Sequence, residues 1–237
     1  DIWNAGDATK REQLQKEKLE FVVAKSGGKT TVEEGPQTIR YTQPLDHPRL
    51  KWAVRQLEIW KREPRARLTF RLNRISSFDP ELLCVVSPLP CDGKLPRLSS
   101  GGMGFTPFTD QFPGTCRDYF AIDGWAHYAT PDGHWLWVTR DAPLITLDGP
   151  HPKSHLTGPP ARAGRLLAIL HDNFWYTNFQ GDSPGVMEFQ FDLVWRNQLA
   201  GDREAESLAG ALVTEPVMVL NPSLPEHPLF IQDLYKP

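Results

Sequence analysis

"LHDNFWYTNFQGDSPGVMEFQFDLVW", residues 170–195, decides how the rest of the chain is read. Its second half alternates. Met187, Phe189, Phe191, Leu193 and Trp195 fall on one side of an extended chain, with Glu188, Gln190 and Asp192 on the other. A period of two sends successive side chains to opposite faces, so this half reads as a half-buried strand. The first half continues from "RLLAIL" and reads as a strand entering a turn. The two halves read as paired strands, 166–174 with 186–195, joined by "NFQGDSPG". The turn over 176–184 then has either a structural role or one directed at a neighbouring domain.

The same period recurs on either side. In "RLTFRLNR", Leu68, Phe70 and Leu72 share one face, and Arg67, Thr69, Arg71 and Asn73 the other. "ELLCVVSPL" is a buried strand stopped by Pro88. "DYFAIDGWAHYAT" and "HWLWVTRDAPLITL" flank "PDG", a strong hairpin signal. "KLPRLSSGGMGFTPFTDQFPGTC" and "HPKSHLTGPPARAG" read as loops. "EAESLAGALVTEPVMVL" reads as a short polar helical piece followed by a strand, and the Pro-rich tail as extended chain. Upstream, two helices are expected. One is a short exposed helix over 9–20. The other is "DHPRLKWAVRQLEIWKRE", where Asp46 can cap, Pro48 suits the first turn, and Leu50, Ala53, Val54, Leu57 and Trp60 recur at helical spacing. A strand reading competes there, because Leu50, Trp52 and Val54 also alternate; the helix is preferred.

The 22 prolines and 18 glycines punctuate the whole chain rather than forming one linker. With seven or eight short strands expected, short connections and no βαβ rhythm, the fold class is mainly β. The expected architecture is an antiparallel β-sandwich with one or two short helices. Residues 1–65 form a lead-in with a helix and 66–237 the sandwich, the two making one structural unit.

Bulk properties exclude several function classes. The chain has 237 residues and a net charge of -3, without the basic face that nucleic acid requires. No apolar stretch approaches a membrane span of ~20 residues. No leader pattern is visible at the start, and the missing Met hints that Asp1 is not a natural start. Cys84, Cys91 and Cys116 are odd in number and loosely spaced, which fits reduced thiols, mildly favours the cytoplasm and leaves localisation unassigned.

No motif carries chemistry on its own. No metal-ligand set is read from His127, His134, His151, His155, His171 and His227. His171, Asp172 and Asp182 sit close in sequence without forming such a set. There is no nucleophile elbow, and "SGGMG" lacks the spacing of a dinucleotide loop. A cysteine nucleophile built on Cys116 has no local support, and the loop aspartates cannot be paired by sequence. Carbohydrate contact is favoured by composition. Eight Trp is a high count, and Trp175 and Tyr176 lie next to Asn173 and Asn178. Flat rings flanked by amides suit sugars, whose faces are apolar and whose edges carry hydroxyls. Trp135 and Trp195 read instead as core. In the loop over 104–115, Asp110 and Gln111 offer hydroxyl-binding groups. The candidate sugar contacts are Asp110, Gln111, Trp175, Tyr176 and Asn178.

Two stretches together resemble a family. "RLLAILHDNFWYTNFQGDSPGVMEFQFDLVW" and "FTDQFPGTCRDYFAIDGWAHYATPDGHWLWVTRDAPLI" are similar in order and spacing to the C-terminal β-domain of glycoside hydrolase family 38 α-mannosidase-like proteins. The resemblance covers roughly 68–220. It implies a large supersandwich similar to galactose mutarotase, following a catalytic domain and a helical bundle. That catalytic domain would hold the family's zinc and nucleophilic Asp, and no stretch here matches them. The expectation is an accessory domain without a cofactor of its own, inactive alone. Its partners would be the catalytic domain of the same protein and carbohydrate, with no nucleic acid and no membrane. The alternative is a freestanding carbohydrate-binding module.

Overall fold

The structure, a computed structural model, describes residues 20–79, 81–150, 156–173 and 181–214. In chain order the described residues form β1 (Lys25–Ser26), β2 (Thr31–Glu34), β3 (Thr38–Asp46), β4 (Leu50–Trp60), β5 (Arg65–Arg74), β6 (Leu82–Pro88), β7 (Arg97–Ser100) and β8 (Met103–Phe105). There follow β9 (Phe120–Ala121), β10 (Trp125–Thr130), β11 (Gly133–Thr139), β12 (Leu144–Leu147), β13 (Arg165–Asp172), β14 (Gly185–Arg196) and the helix α1 (Asp202–Val213). Ten strands make one sheet in the order β1-β3-β4-β5-β14-β11-β10-β7-β8, with β2 added to β3. Four make a second sheet, β6-β13-β12-β9, and every ladder is antiparallel. The sheets pack face to face, so the expected antiparallel sandwich is present.

The core lies between them. Leu72, Phe189, Phe191, Trp137, Tyr128 and Leu98 from the large sheet meet Val85, Leu166, Ala168, Ile145, Leu147 and Phe120 from the small one. The alternation of β14 is as read: Phe189 and Phe191 are buried, whereas Glu188 is exposed. The opposite face of β14 is not uniformly wet, however. Its far end lies under α1, where Ala205 and Ala209 pack on Trp125, Leu136, Val138 and Val194. Small residues four apart sit one above the other on the helix, and so let it approach the sheet closely. Asp202 and Glu204 in the first turn suit the positive end of the helix dipole.

Four expectations need correction. Residues 50–60 are strand, not helix: β4 pairs with β3 and β5 along most of its length. Its apolar positions satisfy both periods, and long-range pairing on two sides decides between them. Pro48 sits in the turn between β3 and β4, where the Leu50 amide donates to the His47 carbonyl. Strands on both sides of residue 65 thus belong to one sheet. Secondly, β13 and β14 are not partners. β13 lies between β6 and β12 in the small sheet, while β14 lies between β5 and β11 in the large one. The connection between them crosses from one sheet to the other. Thirdly, the first part of the long Gly-rich loop is a hairpin, β7–β8, turning at Gly101 and Gly102 with φ of 61° and 75°. Two successive left-handed residues match the twist of a tight hairpin, and Gly-Gly supplies them without strain. Lastly, the described residues alone form fourteen strands where seven or eight were expected. The helix expected over 9–20 and the strand expected after residue 214 lie outside the described residues.

Candidate functional site

Arg74 closes β5 and is 1% exposed. A buried guanidinium is costly unless it is paired, and two carboxylates meet it. Nη1 donates to Asp182 Oδ1 at 2.5 Å and Nη2 to Glu81 Oε1 at 2.7 Å. Asp182 also accepts from the Ser76 hydroxyl at 2.6 Å and the Ser77 amide at 3.2 Å. The Ser76 hydrogen bond, with Arg74 behind it, outweighs desolvation and holds the Asp182 carboxyl down at about 2. Asn173 is pinned to the same segment. Its Oδ1 accepts from the Glu81 amide at 2.6 Å, its Nδ2 donates to the Ser77 carbonyl at 3.1 Å, and its own amide donates to the Glu81 carbonyl at 3.2 Å.

Residues 74–81 therefore hold Asn173 and Asp182, which lie on either side of three of the expected sugar contacts. Trp175, Tyr176 and Asn178 themselves lie outside the described residues. His171, nearby on β13, is held towards its neutral form, first by burial and then by the positive charge of Arg74. Its buried Nε2 has no hydrogen-bond partner among the described residues.

The other two expected contacts lie on the far loop. Asp110 Oδ2 accepts from the Thr106 amide at 2.7 Å, and Gln111 Oε1 accepts from the Phe108 amide at 3.0 Å. Gln111 Nε2 donates to the Cys116 carbonyl at 3.1 Å. Both side chains are thus used within their own loop, where Phe108 holds a left-handed φ of 66°. Asp110 keeps an exposed edge and stands 3.7 Å from Arg97.

Arg97 leads into a cluster not visible in the sequence reading. Its Nε and Nη2 grip Asp202 in α1 at 2.7 and 2.6 Å, a two-pronged contact that ties helix to sheet. Next to it, His127 Nε2 and His134 Nδ1 are 2.9 Å apart. The ring centroids are 5.1 Å apart, longer than the nitrogen separation by about two ring radii, so the rings meet edge to edge and share one proton. Burial, followed by the charges of His134 and Arg97 against the opposing Asp202, pushes the His127 imidazolium down to about 4. The tight turn at 131–132 brings the pair together: it sets Ala129 opposite His134, and His127 falls diagonally beside it. The "PDG" turn carried that register.

The arrangement favours scaffolding over covalent chemistry. Burial pushes the Cys84 thiol up to about 12, which makes it a poor nucleophile. Among the described residues no three metal-ligating side chains converge. The buried polar groups hold loops and a helix in place. No protein-family model matches the chain, and no curated protein matches it.

Proposed function

We propose that this chain is the accessory β-sandwich of a glycoside hydrolase acting on mannosides or related glycans, inactive alone and working against a separate catalytic domain. The carrying observation is an incomplete cover over the large sheet. On its core-side face the ladders align Phe191 with Leu68, Leu57 and Tyr41, and Leu193 with Ala66, Ile59 and Ile39. Phe191 is in the core, but Ile39, Tyr41, Leu57, Ile59 and Ala66 lie outside the core cluster and are only partly buried among the described residues. The four-stranded sheet does not reach them. A contiguous apolar stripe of this kind marks a contact surface. The opposite face of the same strands is hydrophilic, with Arg40, Glu58, Arg67 and Asp192 in one row. The stripe is thus the side offered to a companion.

The resemblance to the family 38 β-domain supplies the companion's chemistry. The zinc and the nucleophile belong to that domain, and this chain contributes loops and a docking face. Hydrolysis of an aryl α-mannoside tests the proposal, assayed with zinc on the chain alone and on the whole polypeptide encoded with it. The proposal expects no turnover from the chain alone and zinc-dependent turnover from the whole. Turnover by the chain alone that chelation abolishes contradicts it, as does a whole polypeptide with no catalytic domain.

A further inference from the structure

The outward face of the large sheet carries a second surface with different chemistry, its first row next in register to Arg74. Three adjacent strands, β4, β5 and β14, place residues there in rows. Trp52, Asn73 and Val186 form one row, Val54, Arg71 and Glu188 the next, and Gln56, Thr69 and Gln190 the third. A bulge at Lys51 turns Trp52 outward, out of step with Leu50. Trp52 is 42% exposed and Val186 68% exposed, so this face presents apolar area that none of the described residues covers.

The polar groups between them are held in fixed positions. Arg71 Nε donates to Glu188, and Gln190 Nε2 donates to the other Glu188 oxygen at 2.8 Å. Asp141 accepts from the Gln190 amide at 3.0 Å. Arg140, Asp141, Glu188 and Gln190 line a shallow open cleft that continues the platform beyond β14. The guanidinium of Arg71 is 65% exposed at its side chain and keeps further N–H groups for a ligand.

We propose that this platform binds a neutral hexose oligosaccharide. Strands about 4.8 Å apart and same-face residues about 7 Å apart make three rows on three strands a plate of about 10 by 14 Å, roughly the footprint of two sugar rings. A sugar needs an aromatic plane for its C–H face and pre-oriented donors and acceptors for its rim. Trp52 supplies the first; Asn73, Arg71, Glu188 and Gln190 supply the second. Arg71 and Glu188 cancel, as do Arg140 and Asp141, so no net charge calls for an anionic ligand. Flat stacking with few enclosing walls gives weak binding, of the millimolar class. The inference is independent of the docking proposal: this is the opposite face of the sheet, it needs no companion domain, and either can fail alone.

The test is a titration of the whole chain with mannotriose, maltotriose and cellotriose, followed by tryptophan fluorescence and by NMR shift mapping. At least one trisaccharide should bind, with shifts centred on residues 52–54, 71–73 and 186–190. Trp52→Ala and Asn73→Ala should each weaken it at least about tenfold. Trp52 is exposed enough for its loss to leave the fold intact, and the NMR spectrum reports folding directly. Trp60→Ala, an aromatic under Arg65 on the same face, should leave binding unchanged. No binding of any of the three at 20-fold excess over about 1 mM overturns the proposal. So does binding that survives Trp52→Ala, or that is lost only in Trp175→Ala.

Discussion

Arg74 carries a positive charge into the sandwich and meets Asp182 and Glu81 there. Removing one side of a buried ion pair costs about 3–5 kcal/mol, because the other side stays buried without a partner. Glu81 is partly wet, which places Arg74→Met near the low end, about 3 kcal/mol. For a chain of this size that lowers Tm by roughly 6–12 °C. Limited proteolysis should then cut first between 173 and 182, because the Asp182 end of that segment has lost its Arg74 anchor; a melt within 2 °C of wild type would show that Arg74 does not hold the network. At Asp110 and Gln111 the geometry favours capping of their own loop. Asp110→Ala should cost about 1 kcal/mol of stability in urea unfolding, the usual worth of one hydrogen bond. His127 gives a pH signature. Its folded pKa lies below its unfolded value, so the unfolded chain binds the extra proton. The stability that follows from its neutral form is full above about 6.5 and falls away as the pH drops towards about 4. The groups facing it are His134 and Arg97, which oppose protonation, and Asp202, which favours it. The loss across that window is on the order of 2–3 kcal/mol. His127→Gln should flatten that part of the urea-unfolding profile, and an unchanged slope between pH 6.5 and 4 would reject the assignment.

Strand by strand, what was legible depended on which forces were local. β5, β10, β11 and β14 stood out because their own alternation and the "PDG" turn specify them, and the facing of β5 and β14 was read correctly. Phe189→Ala or Phe191→Ala should therefore cost about 3–5 kcal/mol, as for other emptied phenylalanine sites, against less than about 0.5 for Glu188→Ala. Equal thermal melts for Phe189→Ala and Glu188→Ala would invert the facing. β4 was misread because Leu50, Ala53, Val54, Leu57 and Trp60 fit a helix as well as a strand, and its ladders to β3 and β5 are long-range. The separation of β13 from β14 was equally hidden. Adjacency in sequence suggests a hairpin, whereas β6 and β5 take them as partners from about 80 and 120 residues upstream. The β7–β8 hairpin did have a signal in Gly101-Gly102, masked by the surrounding Ser, Gly and Pro. Of the candidate site, the anchoring role of Asp182 and Asn173 was invisible, since it depends on Arg74, Ser77 and Glu81, more than 90 residues away.

At the scale of the whole molecule, the two sheets are unequal, and the difference carries the functional account. Among the described residues, ten strands against four leave the β2–β3–β4 flank without a second layer, and apolar side chains continue onto it from the core. The two proposals assign these faces separately: the core-side flank to a companion domain, the outer plate around Trp52 to glycan. The chain alone should fold, since its core between the sheets is complete without the flank. Hydroxyl-radical footprinting tests the companion claim most directly, applied to Tyr41, Leu57 and Ile59 in the chain alone and in the whole encoded polypeptide. The account predicts that these three residues are labelled several-fold more slowly in the whole polypeptide, while Trp52 on the opposite face is labelled equally in both. Equal labelling of Tyr41, Leu57 and Ile59 in the two samples would contradict it.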